Sequence, residues 1–186
     1  MILELIQKSF NEAHRHGKEL SNSKRSKLWV ECLAQSFREL PWKSKVTVFS
    51  RGFKGNKIEF RLNELLFDIT VAEVKEIQSV RGIDITTITG VKWLVESEFK
   101  RTDSRDIIID FSKLIIGNSE NKLLVISAGS SLTTWAMTII PSLIKCSNNN
   151  FFLAFLPHPE DWYSAECPSV AIYQLTATGW LTCVST

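Results

Sequence analysis

Lys92-Trp93-Leu94-Val95-Glu96-Ser97-Glu98-Phe99-Lys100 is the stretch on which the fold depends. Trp93-Leu94-Val95 has the unbroken apolar character of a strand covered on both faces. Beyond it Glu96, Glu98 and Lys100 recur at every second position. Side chains alternate along a strand, so these charged groups are expected to project from one side. Carboxylates removed from water must be paired or must hold a cation. Upstream, Leu65-Leu66-Phe67-Asp68-Ile69-Thr70-Val71 is a second apolar run with an acid in its middle. An Asp on one strand and a Glu-x-Glu-x-Lys on the next offer the oxygen ligands that a hard divalent cation, Mg²⁺ or Mn²⁺, accepts. One or two carboxylates suffice for such an ion.

Outward from this pair, the apolar period changes along the chain. Residues 2–16 place Ile2, Leu5, Ile6 and Phe10 on one helical face, and Gly17 is a stop signal. Residues 21–26 read as a polar break. Residues 27–40, with Leu28, Trp29, Cys32, Leu33 and Phe37 at helical spacing, form a second helix that Pro41 ends. Val46 and Val48, then Ile58, Phe60 and Leu62, alternate with polar residues and predict two strands. Arg51-Gly52-Phe53-Lys54-Gly55-Asn56 between them reads as a basic hairpin turn. Residues 65–74 and 92–100 are the next strands, with 75–90 as a loop. Asp103 or Ser104 caps a helix over 105–116 that Gly117 closes. Residues 122–127 predict a strand buried on both faces, 132–145 a helix containing Pro141, and 151–156 and 170–175 further strands. This order predicts one α/β domain over residues 1–186 with a mixed central sheet flanked by helices. Its parts are N-terminal helices (1–40), a core over about 27–127 and an apolar C-terminal extension (128–186).

With 22 Lys and Arg against 20 Asp and Glu, overall charge does not select a polyanionic partner. Its distribution does more. Lys43, Lys45, Arg51, Lys54, Lys57 and Arg61 cluster against Glu59 alone, and Arg15, Lys18, Lys24, Arg25 and Lys27 precede them. From Leu123 onward the charged side chains are Lys145, Glu160, Asp161 and Glu166. The four cysteines, Cys32, Cys146, Cys167 and Cys183, lack metal-site spacing. The opening Met-Ile-Leu-Glu-Leu-Ile-Gln-Lys carries an acid too early for a signal peptide, and no apolar run is long enough for a membrane helix. A cytoplasmic protein with reduced thiols is expected.

Helix, three strands, helix, strand, with Asp68 before the acid-rich strand, resembles the core of the PD-(D/E)xK nuclease superfamily over roughly residues 27–127. The resemblance implies a restriction-endonuclease-like fold and metal-dependent hydrolysis of phosphodiester bonds. Asp68 takes the Asp position, and two alignments of the acid-x-Lys pair stay open. With Glu96 as the acid, Glu98 stands where lysine is usual, as in a minority of type II restriction endonucleases. With Glu98 as the acid, Lys100 is the lysine. Val95 is the last apolar residue before Glu96, which favours Glu96 and Glu98 as the pair. Phe67 stands where the motif has proline. The implied catalytic set is Asp68, Glu96, Glu98 and Lys100. The implied metal set is Asp68 and Glu96, completed by Glu31 or Glu64. Mg²⁺ (or Mn²⁺) would polarise a phosphate oxygen and acidify a water. Lys43, Lys45, Arg51, Lys54, Lys57 and Arg61, with Lys24–Lys27 nearby, would hold the backbone of nucleic acid, DNA ahead of RNA.

Each of these residues also has an ordinary structural reading. Glu96, Glu98 and Lys100 are the polar face of a half-exposed strand, Asp68 is a turn acid, and the basic run is a solvated edge. His14 and His16 are helix-end residues. Gly129-Ser130-Ser131 lacks the spacing and lysine of a phosphate loop. Two other functions compete with the nuclease: a catalytically inactive nuclease-fold binding module, and a protein-interaction module. In the latter Trp162, Tyr163, Tyr173 and Trp180 form a homodimer face.

Overall fold

Leu123-Leu124-Val125-Ile126 is buried on both faces because the strand that carries it lies in the middle of a seven-stranded sheet. The computed structural model describes residues 2–101, 104–144, 150–163, 168 and 170–182. In chain order the elements are α1 (Ile2–Gly17), α2 (Asn22–Arg38), β1 (Val46–Ser50), α3 (Asn56–Phe60), β2 (Ile69–Gln78), β3 (Asp84–Glu98), α4 (Ser104–Ile116), β4 (Asn121–Ser127), α5 (Ser130–Leu143), β5 (Asn150–Leu156), a 3-10 turn (Pro159–Asp161), β6 (Ala171–Thr176) and β7 (Gly179–Thr182). The sheet runs β1 to β7 in sequence order. β1–β2–β3 is an antiparallel meander, β3–β4–β5 are parallel, and β6 and β7 return antiparallel. The fold is therefore α/β, with a mixed sheet and helices on both faces.

Two cores follow from strand alternation. Trp93, Val95, Leu123 and Val125 face α1 and α2, whose stripe includes Ile6, Phe10, Trp29, Leu33 and Phe37. Leu94, Leu124, Ile126 and Leu153 face α4 and α5 through Ile107, Phe111, Leu114, Ala136 and Ile140. The parallel strands β3 and β4 need a crossover, and α4 supplies it. That connection matters for function, because it lays α4 across the carboxyl end of β3.

Several expectations are corrected. The supposed polar break is the first turn of α2. Arg25 within it is completely buried, donating to the carbonyls of Gly17 (2.8 Å), Lys18 (2.7 Å) and Pro159 (2.6 Å), with its guanidinium 3.9 Å from the centre of the Tyr163 ring. It is a structural clasp and cannot grip nucleic acid. Arg51 to Asn56 is not a hairpin. Ile58 and Phe60 lie on the one-turn helix α3, where Phe60 packs edge-on against Phe49 at 4.9 Å while Ile58 stays in solvent. Apolar residues at such short range do not separate period 2 from period 3.6. The partner of β1 is β2, with Val46 opposite Glu73. Residues 65–68 precede β2 and are not strand. Residues 75–90 are no loop: β2 and β3 continue as a ribbon with Gln78 opposite Asp84, through register shifts beside Ala72 and Glu73. β7 went unread.

Trp162 is fully buried against Phe10 (5.2 Å, edge-on) and Phe99, with its indole N–H donating to Pro157 O (2.9 Å). It cannot form part of a dimer face. Tyr173 is packed against the second core, and Trp180 is anchored there by its indole N–H on Met137 O (2.8 Å). His14 is buried beside Phe10 rather than surface-exposed, and burial, with the charges of Lys18 and Arg25, lowers its pKa. Asp103 as a cap, Lys145 as a helix end, and Cys146, Cys167 and Cys183 lie outside the described residues. No helix among the described residues is long and apolar enough to cross a membrane.

Trp162→Ala is expected to destabilise the fold by about 3–5 kcal/mol, the usual range for emptying a large buried aromatic site. Urea unfolding monitored by circular dichroism measures it. A loss under about 1 kcal/mol would mean that the loop holding Trp162 is not part of the core.

Candidate functional site

The register Ile69 opposite Val95 sets the site. Extending that antiparallel ladder by one residue brings Asp68, just before β2, beside Glu96 near the end of β3. Asp68 Oδ2 accepts a hydrogen bond from the backbone N–H of Ser97 at 2.9 Å, which holds it there. Glu96 follows the alternation of Leu94 and so points toward α4 rather than α2. It is 2% exposed, an unusual position for a carboxylate.

α4 answers with one cation. Lys113 Nζ lies 3.2 Å from Glu96 Oε1 and donates to Asp110 Oδ1 at 2.7 Å. The contact to Glu96 is an ion pair without hydrogen-bond direction, so Glu96 Oε1 is enclosed with no hydrogen-bond partner. Burial pushes Glu96 up to about 8, reinforced by the negative charges of Asp68 and Asp110 and opposed by Lys113. Burial likewise raises Asp68 to about 6, against the hydrogen bond from Ser97. For Lys113 burial works downward, but the bond to Asp110 and the charge of Glu96 outweigh it and raise the pKa. Two strained carboxylates and a held ammonium thus share one small volume.

These groups floor a cleft of about 490 Å³ between α2, the segment after β1, residues 64–68 and α4. Asp68, Glu96, Glu31 and Glu64 all line it, as do Lys27, Arg51 and Lys113. The four acids proposed as metal ligands therefore reach the same cleft, but not in the same role. Glu31 has both oxygens engaged: Oε2 accepts from Ser50 Oγ (2.9 Å) and Oε1 from Gly52 N (2.7 Å). A Cβ at Gly52 would meet the Glu31 carboxyl carbon at 2.4 Å, so glycine is what allows this close clip. Glu64 is exposed on the cleft wall. Among the described residues, no group of three or more His, Cys, Asp or Glu side chains is gathered to hold a metal ion.

Glu98 and Lys100 do not line the cleft. Glu98 Oε1 caps the chain turn by accepting from Lys100 N (2.8 Å), and Lys100 Nζ pairs with Asp106 on α4. The strand ends at Glu98, so the alternation that linked Lys100 to Glu96 no longer holds. The lysine beside Glu96 is Lys113. It was missed because nothing in the local sequence ties residue 113 to residue 96; the signal is only the i,i+3 spacing of Asp110 and Lys113, which puts these two on one helical face.

Of the basic set, Arg51 alone reaches the cleft. Lys45 is paired with Glu76 (2.6 Å). Lys43, Lys54 and Lys57 are exposed elsewhere, and Arg61 ends α3 in a left-handed conformation (φ 61°). Lys27, on the first part of α2, takes a place on the rim. No protein-family model, curated protein or solved structure matches this chain.

The raised pKa of Glu96 fixes a pH dependence. Between the ordinary value of 4.5 and about 8 the folded chain keeps a proton that the unfolded chain has released. The contribution of Glu96 to stability is therefore fully present below about 4.5, falls as pH rises, by up to about 1.4 kcal/mol per pH unit, and levels off above about 8. Glu96→Gln should flatten most of this fall and be the more stable protein at pH 8. Urea denaturation at several pH values compares the two; parallel slopes would show that Glu96 is not held protonated by its surroundings.

Proposed function

We propose that this chain is a metal-dependent hydrolase of phosphodiester bonds in nucleic acid, built on a restriction-endonuclease-like fold. The observation that carries the reading is the meeting of Asp68, Glu96 and Lys113 on one cleft floor. The element order supports it: helices, an antiparallel β1–β2–β3 meander, α4, then parallel β4. So does the placing of one acid ahead of the second strand and another near the end of the third.

The donor set fits a hard cation. Glu96 Oε1 is an enclosed carboxylate oxygen without a hydrogen-bond donor, and Asp68 beside it is raised by burial. Asp68 and Glu96 would hold Mg²⁺ or Mn²⁺, leaving other positions to water and phosphate, as Mg²⁺ commonly does. Such an ion, when bound, polarises the phosphate and acidifies a water. Lys113 would place positive charge near the phosphoryl oxygens, on which negative charge builds as phosphorus becomes five-coordinate, and Asp110 orients its ammonium. Lys113 thus stands beside the acids where the motif resemblance puts Lys100.

A second reading, a nuclease-like binding module without catalysis, is favoured by the same ion pair. Lys113 Nζ already stands 3.2 Å from Glu96 Oε1, and the described residues gather no group of three metal-binding side chains.

Mg²⁺ titration by calorimetry, run beside cleavage of DNA and RNA, separates the two. The hydrolase reading expects Asp68→Asn and Lys113→Ala each to lower the cleavage rate by about 100-fold or more, with Lys100→Ala close to wild type. Wild-type protein that neither binds Mg²⁺ nor cleaves would leave the binding module.

A further inference from the structure

The cleft that carries the acidic floor has a basic rim and an apolar wall. Lys27 on α2 and Arg51 after β1 both line it. The ion pairs among the described residues include neither of them. They are solvent-facing cations in the same cleft as the buried Glu96 and half-buried Asp68, a set that suits phosphates on either side of one held at the acids. Leu65, Leu66 and Phe67, directly ahead of Asp68, also line it. Leu66 is 63% exposed, a large apolar side chain turned to water at the mouth of a polar site.

An apolar wall beside cations has no use for a phosphate backbone alone. It needs flat apolar faces, which nucleic-acid bases offer only when they are unstacked. In an intact duplex those faces are covered by neighbouring base pairs. The volume, about 490 Å³, is that of a small-ligand pocket, and the buried floor lies at its bottom. A strand must lower a phosphate and its attached base into such a space; a paired duplex presents a convex surface to it.

On this basis, and resting on the hydrolase reading above, we infer that the substrate is single-stranded nucleic acid, or an unpaired end, with phosphates gripped by Lys27 and Arg51 and a base laid against Leu66 and Phe67. The Lys54–Lys57 segment and the ribbon beyond Glu73 take no part. The remaining exposed cations lie away from the cleft and would add only to long-range attraction.

The test uses the full chain carrying Asp68→Asn, without divalent metal, so that nothing is cut. Fluorescence anisotropy measures binding of labelled oligo(dT), oligo(U) and a blunt DNA duplex over a range of salt. Expected is tighter binding of a single strand than of the duplex, by about tenfold or more, the scale of one stacked base. The ratio of oligo(dT) to oligo(U) identifies the sugar preferred. Lys27→Ala and Arg51→Ala should each reduce the slope of log affinity against log salt by about 0.7. Leu66→Ser, a change at an exposed position that leaves the core intact, should weaken single-strand binding several-fold with the salt slope unchanged. Equal or tighter duplex binding overturns the inference, as do unchanged salt slopes in both charge variants. If wild-type protein with Mg²⁺ then cleaves duplex, the hydrolase reading stands without this one. If neither strand nor duplex is bound or cut, both fall.

Discussion

Everything else in this structure is arranged around a carboxylate that has been taken out of water. Glu96 sits where β3 still lies between two layers of helices, and its 2% exposure removes the solvent that would ordinarily stabilise its charge. An isolated buried carboxylate is not tolerable, so its neighbourhood must either keep it protonated or supply positive charge. Both answers are present. The environment raises its proton affinity, and Lys113 stands 3.2 Å away.

The rest of the fold explains how those two residues come to meet. A parallel connection from β3 to β4 requires a crossover, and α4 lies over the carboxyl half of β3 because that is where the chain must travel to begin β4. The antiparallel pairing of β2 with β3 brings Asp68 to the same end. The loop after β1 is fastened to α2 through Glu31, Ser50 and Gly52, which closes the third side. No single element contains the cleft; it exists where a parallel and an antiparallel junction share one strand.

Much of the fold was legible beforehand, and the reasons are physical. A short apolar run such as Leu123–Ile126 fits a doubly covered strand, and a long stripe such as Ile2 to Phe10 fits an amphipathic helix. The misread region, residues 51–62, has short apolar spacing compatible with either period, and its true state depends on Phe60 finding Phe49. The ribbon over residues 75–90 looked like a loop because its isoleucines and valine are interrupted by charges, and pairing across two register shifts is not a local property. Trp162 is expected at a homodimer face because aromatics are enriched in interfaces; it is buried instead, on a loop that Arg25 fastens to the turn between α1 and α2 through Pro159 O.

The site divides along the same line. Asp68 and Glu96 were visible in the sequence, since an acid embedded in or ending an apolar run is out of place unless it has work to do. That the two share a side follows from the register of β2 on β3, Ile69 opposite Val95, which is a property of the paired strands. Only the tertiary structure decided the rest: that Glu98 and Lys100 turn to the chain end and to α4, that Glu31 is bound to β1, and that Lys113 and Arg51 are the cations of the cleft. Alternation is a local rule and stops where β3 stops. Which helix lies across the strand, and which of its side chains reaches down to the buried acid, follows from a crossover that only the packed sheet determines.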